Sequence, residues 1–388
     1  MRSSVRHACV LCALLALLGC AGDSSRYGFK PSDIPPLQYE GEVYTPDDAL
    51  LTPAPEVLEV TPEMKAFVAE HTAGLNSDRG RLMALHRAVR DPEGLDVRYD
   101  PFADGTAREV FERGTANCLS FAHLFTALAR EARVPAQYQW IVVRPEWQRL
   151  GDRVAVHLHV NVYVKTRDTS EFMLDIDPLR RSEVAGSRIM SDAEGLALHY
   201  NNLAVVALSE DRPTEAWQQL VRGLQAAPTL SQLWVNLGAV YRNSGQEEDA
   251  ERAYFRALDV DQADRSAMNN LVVLYEHQGR FTERDHWRDR LRRYREKNPY
   301  YHASLGDTAM AASAWTEARD HYARAVDLHP RDGQLIYSLG LAEYQCGNVS
   351  AAEDLVAQAV ELASFPVERE RYQYALSKLR EQQKAAAL

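Results

Sequence analysis

The chain has 388 residues, with 44 Lys and Arg against 55 Asp and Glu, and a formal net charge of -11 at pH 7. Such an acidic chain offers nucleic acid no footing. The basic stretch from Arg288 to Lys297 is interleaved with acids, as on a solvated helix face. The length exceeds what one ordinary core supports and predicts two domains.

At the N-terminus, Arg2 and Arg6 precede the apolar run "ACVLCALLALLGC". The run is too short for a permanent transmembrane helix, which needs about 20 apolar residues, and has the length of a signal-peptide core. It ends with Gly19 directly before Cys20. "LLGC" resembles a bacterial lipoprotein signal, against the alternative of an ordinary signal peptide with an incidental cysteine. The resemblance implies cleavage after residue 19 and lipidation of Cys20. Ala21, standing where an inner-membrane retention signal carries aspartate, implies the outer membrane, facing the periplasm, with lipid as the sole membrane attachment. Of the five cysteines, only Cys118 and Cys346 then stay free. Seven prolines (Pro31, Pro35, Pro36, Pro46, Pro53, Pro55 and Pro62) punctuate the next stretch. With few periodic apolar residues, residues 20–62 read as an extended tether.

From residue 63 the pattern is helical. Thr61, Pro62 and Glu63 suit a helix start. In "TAREVFERGTANCLSFAHLFTALAREARVPA", Gly114 breaks one helix and Asn117 is placed to cap the next. Ala122, Phe125, Ala129 and Ala132 give that helix a one-sided apolar stripe. Cys118 falls in its first turn, where the helix dipole and free amides favour a thiolate, and its own amide is placed to form half of an oxyanion hole. Downstream, "VAVHLHVNVYVK" alternates: the valines and Leu158 share one strand face, and His157, His159, Asn161 and Tyr163 share the other. "TRDTSE" reads as a turn about Arg167, and "FMLDIDP" returns with Asp175 and Asp177 on a common face. That hairpin sets His159 opposite Asp175 and His157 opposite Asp177. We take Cys118, His159 and Asp175 as the candidate catalytic set, with His157 and Asp177 as alternates. A metal site would need three convergent ligands, which the His-x-His pair does not supply.

Gly114, Asn117 and Cys118, then "HVNVYV", then "FMLDID" resemble, in order and spacing, the transglutaminase-like superfamily, a variant of the papain-type cysteine fold. The likeness implies an α+β domain over residues 63–195 and a Cys-His-Asp triad, with no cofactor.

A period of 34 residues follows. Leu203, Leu237, Leu271, Leu305 and Leu339 fall in one column; Gly238, Gly306 and Gly340 in the next; Ala216, Ala250, Ala318 and Ala352 in a third. This resembles the tetratricopeptide repeat and predicts an all-α solenoid of five repeats over residues 197–366, closed by a polar helix over 367–388. Arg284 and Arg288 stand where small or aromatic residues belong, so the third repeat is expected to pack less tightly. Asn202, Asn236 and Asn270 are in register on the first helices. They suit a peptide backbone on the concave face, although asparagine is common there in any case.

Two readings follow. One is an outer-membrane lipoprotein whose periplasmic thiol domain hydrolyses or transfers an acyl group from an amide, the repeats recruiting a peptide or protein. The other is a catalytically silent scaffold whose repeats assemble envelope complexes.

Overall fold

The computed structural model describes residues 30, 33–51, 54–143, 158–177, 184–363 and 366–386. Cys20, with the rest of residues 1–29, lies outside these residues, as does His157 with the three residues that open its strand motif. Among the described residues no helix is long and apolar enough to cross a membrane.

The described part of the stretch expected as an extended tether is folded. Strands β1 (Leu37–Tyr39) and β2 (Glu42–Tyr44) pair antiparallel around Glu40 and Gly41, both at positive φ, as a two-residue hairpin turn requires. A short helix, α1 (Pro46–Leu50), follows. This strap lies on the repeats. Gln246 Nε2 donates to the Pro36 carbonyl at 3.1 Å, the Gln38 amide donates to Gln246 Oε1 at 2.8 Å, and Tyr241 donates to the Pro35 carbonyl. Arg222 Nε donates to the Ala49 carbonyl at 2.7 Å. Ile34, Leu37 and Ala49 are buried. Prolines leave extended chain whose carbonyls no local helix consumes, and here the solenoid supplies the donors. The few apolar anchors have no period by which to be seen.

Next come α2 (Pro62–Thr72), α3 (Asp78–Arg90), β3 (Arg98–Tyr99), α4 (Ala107–Arg113), β4 (Thr115–Ala116) and α5 (Cys118–Glu131). Helix α5 was expected to bury one side. Instead every residue from Leu119 to Ala129 is buried, because α5 is enclosed by a sheet and by helices on its other sides. That sheet contains β5 (Ala136–Val143), β6 (Leu158–Lys165), β7 (Glu171–Leu174) and β8 (Val184–Met190) in the order β7-β6-β5-β8, all neighbours antiparallel. Val160, Val162 and Val164 of β6 point into the core, as the alternation predicts. Asn161, on the opposite face, is also buried.

Helix α6 (Asp192–Ser209) runs without a linker from this domain into the repeats, so the boundary placed at 195–197 falls inside a helix. Gly195 lets it approach the sheet: a Cβ there would stand 2.9 Å from the Tyr138 ring. The solenoid continues with α7 (Pro213–Ala226), α8 (Ser231–Asn243), α9 (Glu247–Val260), α10 (Arg265–His277), α11 (Phe281–Glu296), α12 (Pro299–Ala311), α13 (Trp315–Leu328), α14 (Gly333–Gln345) and α15 (Val349–Leu362), and closes with α16 (Pro366–Ala386). The second helices begin at residues 213, 247, 281, 315 and 349, one every 34 residues. A single apolar core runs from the strap through the α+β domain to Leu291 of α11; smaller separate clusters hold the helices beyond. The third repeat packs as its sequence predicts: α11 buries only Trp287 and Leu291.

Candidate active site

Three short devices place Cys118. Gly114, at φ 73°, ends α4 in the left-handed region. Two-residue strand β4 then pairs in parallel with β3, Tyr99 beside Ala116. Asn117 caps α5: its Oδ1 accepts from the Ser120 amide at 2.8 Å, and Ser120 Oγ accepts from the Asn117 amide at 3.0 Å, a reciprocal capping box. Cys118 is therefore the first residue of the helix. It keeps part of its surface open.

Opposite it stands β6. Nε2 of His159 is hydrogen-bonded to Oδ2 of Asp175, with both side chains largely enclosed. The expected register was different. The hairpin turns about Asp168 rather than Arg167: Val162 pairs with Leu174 and Lys165 with Glu171, which would set His159 across from Asp177. But β7 ends at Leu174. Beyond it the chain bends, with Asp175 Oδ1 accepting from the Asp177 amide at 3.2 Å, and Oδ2 of Asp175 turns to the imidazole. Arg90 of α3 holds the bend by donating from Nη1 to the carbonyls of Asp175 at 3.2 Å and Ile176 at 2.5 Å. Asp177 is exposed.

Electrostatics around the sulfur differ from those expected of a helix start. Burial pushes the Cys118 thiol above its ordinary value; the amides of Val160, Leu119 and Cys118 pull it down, and the charge of Asp175 adds to the rise. Desolvation thus outweighs the helix end. The Val160 amide, one residue past His159, acts directly on the sulfur, which sets Cys118 against the start of β6.

Tyr99 was not anticipated. It is 47% exposed, and its hydroxyl is raised by burial and then by the charges of Cys118, Asp177, Asp175 and Asp100, which puts it at the rim of the site. A two-residue strand leaves no periodic signal by which to find it. In the repeats, Asn236 Nδ2 donates to Oδ1 of buried Asn201 at 2.7 Å, so one of the expected peptide-binding amides is engaged within the solenoid. Asn202 and Asn270 are half-buried. Among the described residues no His, Cys, Asp and Glu group could hold a metal ion.

Fold and site together define an α+β domain with a thiol at a helix start, facing a His-Asp pair, and continued by a helical-repeat solenoid. Residues 65–172 match the model of the transglutaminase-like superfamily. Residues 235–283 and 303–366 match that of the tetratricopeptide repeat; the gap between the two repeat matches falls on most of α11 and the start of α12. The chain thus carries a transglutaminase-like domain followed by tetratricopeptide repeats. Over 83 residues it is 31% identical to the Photosystem I assembly protein Ycf3 of Parasynechococcus marenigrum (strain WH8102), covering 21% of this chain and 40% of that protein; it spans less than half the length of that curated relative. Similar solved structures include MamA from Desulfovibrio magneticus RS-1 (16% identity, 45% of this chain and 96% of that one, TM-score 0.25). They also include pilF of Pseudomonas aeruginosa (16%, 51% and 90%, TM-score 0.26) and YrrB, described as a TPR protein with an unusual peptide-binding site (15%, 46% and 92%, TM-score 0.24).

Proposed function

We propose that the protein is an outer-membrane lipoprotein whose periplasmic thiol domain cleaves an amide bond, with the repeats recruiting the peptide or protein that carries it. The observation that carries the reading is the His159–Asp175 pair beside a cysteine at the start of α5. Asp175 engages Nε2, which leaves Nδ1 to take the thiol's proton. The thiolate attacks the carbonyl carbon, and the tetrahedral oxyanion collapses with cleavage of the C–N bond. The Nδ1 proton leaves on the amine. Water, deprotonated by the same nitrogen, then releases the carboxylic acid and restores the thiol. An amine in place of water would make the reaction a transfer. Lipid on Cys20 would hold the body at the membrane.

Because burial holds the thiol up, His159 has to act as a base at the moment of attack rather than guard a preformed thiolate. Alkylation of Cys118 by iodoacetamide should therefore rise with pH beyond the ordinary thiol range. His159→Ala and Asp175→Asn should slow it near pH 7.5, whereas His157→Ala and Asp177→Asn should not. At high pH, where hydroxide does the work of the base, His159→Ala and the wild type should converge. Equal rates across all variants at pH 7.5 would remove the triad. The raised thiol also favours a second reading, the silent scaffold, in which Cys118 stays inert throughout. The location has its own check: Cys20→Ala should abolish incorporation of a lipid label.

A further inference from the structure

Behind Cys118 lies a polar cluster that the proposed reaction does not use. His123 of α5 is fully buried; its Nδ1 meets the Tyr138 hydroxyl at 2.6 Å, and its Nε2 has no partner. Its ring stands edge-on to that of His199, centroids 5.8 Å apart. His199 belongs to α6, the first helix of the solenoid. Its Nδ1 lies 3.0 Å from Oδ2 of Asp104, with the two side chains 6% and 10% exposed, a close contact whose angles fall short of a straight hydrogen bond. The other oxygen of Asp104 accepts from Asn117 Nδ2 at 3.4 Å. A chain of contacts thus runs from the first repeat helix to the cap of the helix that carries the thiol.

A carboxylate this enclosed is costly unless it is paired. Burial alone would push the Asp104 carboxyl up, yet His199 beside it, with smaller help from His123 and Asn117, brings it below the ordinary range. The charge also sits at the N-terminal end of α5, where the helix dipole favours an anion. Among the described residues, the titratable groups seen against His199 are His123, Asp104 and Tyr200. The nearby charge of Asp192 is taken up by Arg130 at 2.6 and 2.9 Å. Without His199, the carboxylate keeps Asn117 as its side-chain hydrogen-bond donor, and the amide that caps α5 is drawn out of place together with the first-turn amides around the sulfur.

We propose that His199, supplied by the repeat array, is a positioning residue for the thiol: through Asp104 it holds the Asn117 cap, so that the placement of the first repeat helix sets the reactivity of Cys118. The proposal rests on Cys118 being the nucleophile. It gives the repeats a direct line to the site, because the same helix carries Asn202 and the exposed Val205.

The test uses the full chain. Iodoacetamide alkylation is followed at Cys118 by mass spectrometry from pH 6 to 10, alongside melting, in the wild type and in His159→Ala, His199→Phe, His199→Gln and Asp104→Asn. Displacing the cap should cost His199→Phe about tenfold in rate at pH 7.5 and move its pH profile, while labelling of Cys346 stays constant. His199→Gln, which keeps a donor toward Asp104, should restore most of the rate. A natively melting His199→Phe with the wild-type rate and profile would overturn the proposal. Should that variant fail to fold, Asp104→Asn is read in its place, where a loss of the same size supports the proposal and an unchanged profile overturns it. A wild-type thiol that is inert at every pH sinks the nucleophile and this proposal together. Reactivity that needs His159 but ignores His199 and Asp104 sinks this proposal alone.

Discussion

Asp78, the first residue of α3, is buried and takes four contacts. Arg167 donates to it from its backbone amide at 3.1 Å, from Nε at 2.9 Å and from Nη2 at 2.7 Å, and Arg81 donates at 2.8 Å. Hydrogen bonds from Arg167 hold its carboxyl well below the usual carboxylate range against the opposing pull of burial. Arg167 sits in the turn between β6 and β7, so Asp78 pins the hairpin that carries His159 and Asp175. At its other end α3 holds the segment after β7 through Arg90. A carboxyl depressed by folding adds stability above its unfolded value and loses it as pH falls through the carboxylate range. Asp78→Asn should therefore cost about 1 kcal/mol near pH 7, below the usual range for charged hydrogen bonds because Arg167 stays in contact with water. Urea midpoints of the two proteins should draw together below about pH 4; a gap constant down to pH 3 would refute the assignment. The placement of Cys118 was readable at this scale because Gly114 and Asn117 are the residue types that end one helix and cap the next. The hairpin register was not readable. The turn sets Thr169 at φ 65°, a left-handed position that glycine or asparagine usually signals and a β-branched residue does not.

Among the elements, the repeat was the most legible because one geometric requirement recurs every 34 residues. In the second and fourth repeats the first helix comes close to an aromatic ring of the second. A Cβ on Gly238 would stand 2.4 Å from Cε1 of Tyr254, and one on Gly306 2.7 Å from Cε1 of Tyr322. At Gly340 the neighbour is softer, a methyl of Val356 at 2.9 Å. Gly238→Leu should overpack this contact and cost about 1–3 kcal/mol. Gly340→Ala should cost less, because a valine methyl moves more cheaply than a packed ring. Pairing Gly238→Leu with Tyr254→Leu should recover part of the loss, and denaturant midpoints of the four proteins read the comparison. Equal costs at the two glycines would contradict the ring-contact account. The strap and the strands β3 and β4 escaped notice for the opposite reason: two or three residues are too few to show a period. The deep burial of α5 was hidden as well, since an apolar stripe reports the least that a helix buries rather than the most.

Across the whole molecule, the continuous core joins the strap, the thiol domain and the repeats up to α11, and it stops there. The cause lies in the third repeat. Where the second repeat sets Gly238 against Tyr254, the third has Val272 and Arg288, so the close helix contact has no counterpart. Arg284 and Arg288 reach Glu276 of α10 instead, at 2.8 and 3.3 Å. Exposed ion pairs contribute little beside buried apolar area. Helix α12 likewise buries only Gly306 and Ala309, and the next apolar cluster begins with Ala309 and Ala318. A solenoid is stabilised by its neighbour interfaces, and a weak interface divides it into separately cooperating parts. Helices α12 to α16 should therefore open independently of the rest. In native-state hydrogen exchange, amides of α13 to α15 should share one opening free energy, lower than that of α5 to α9. Tyr322→Ala should speed exchange in the C-terminal group and leave α5 to α9 unchanged, together with alkylation of Cys118. Faster exchange across both groups would show that the two core segments unfold as one, and that the third repeat transmits stability despite its arginines.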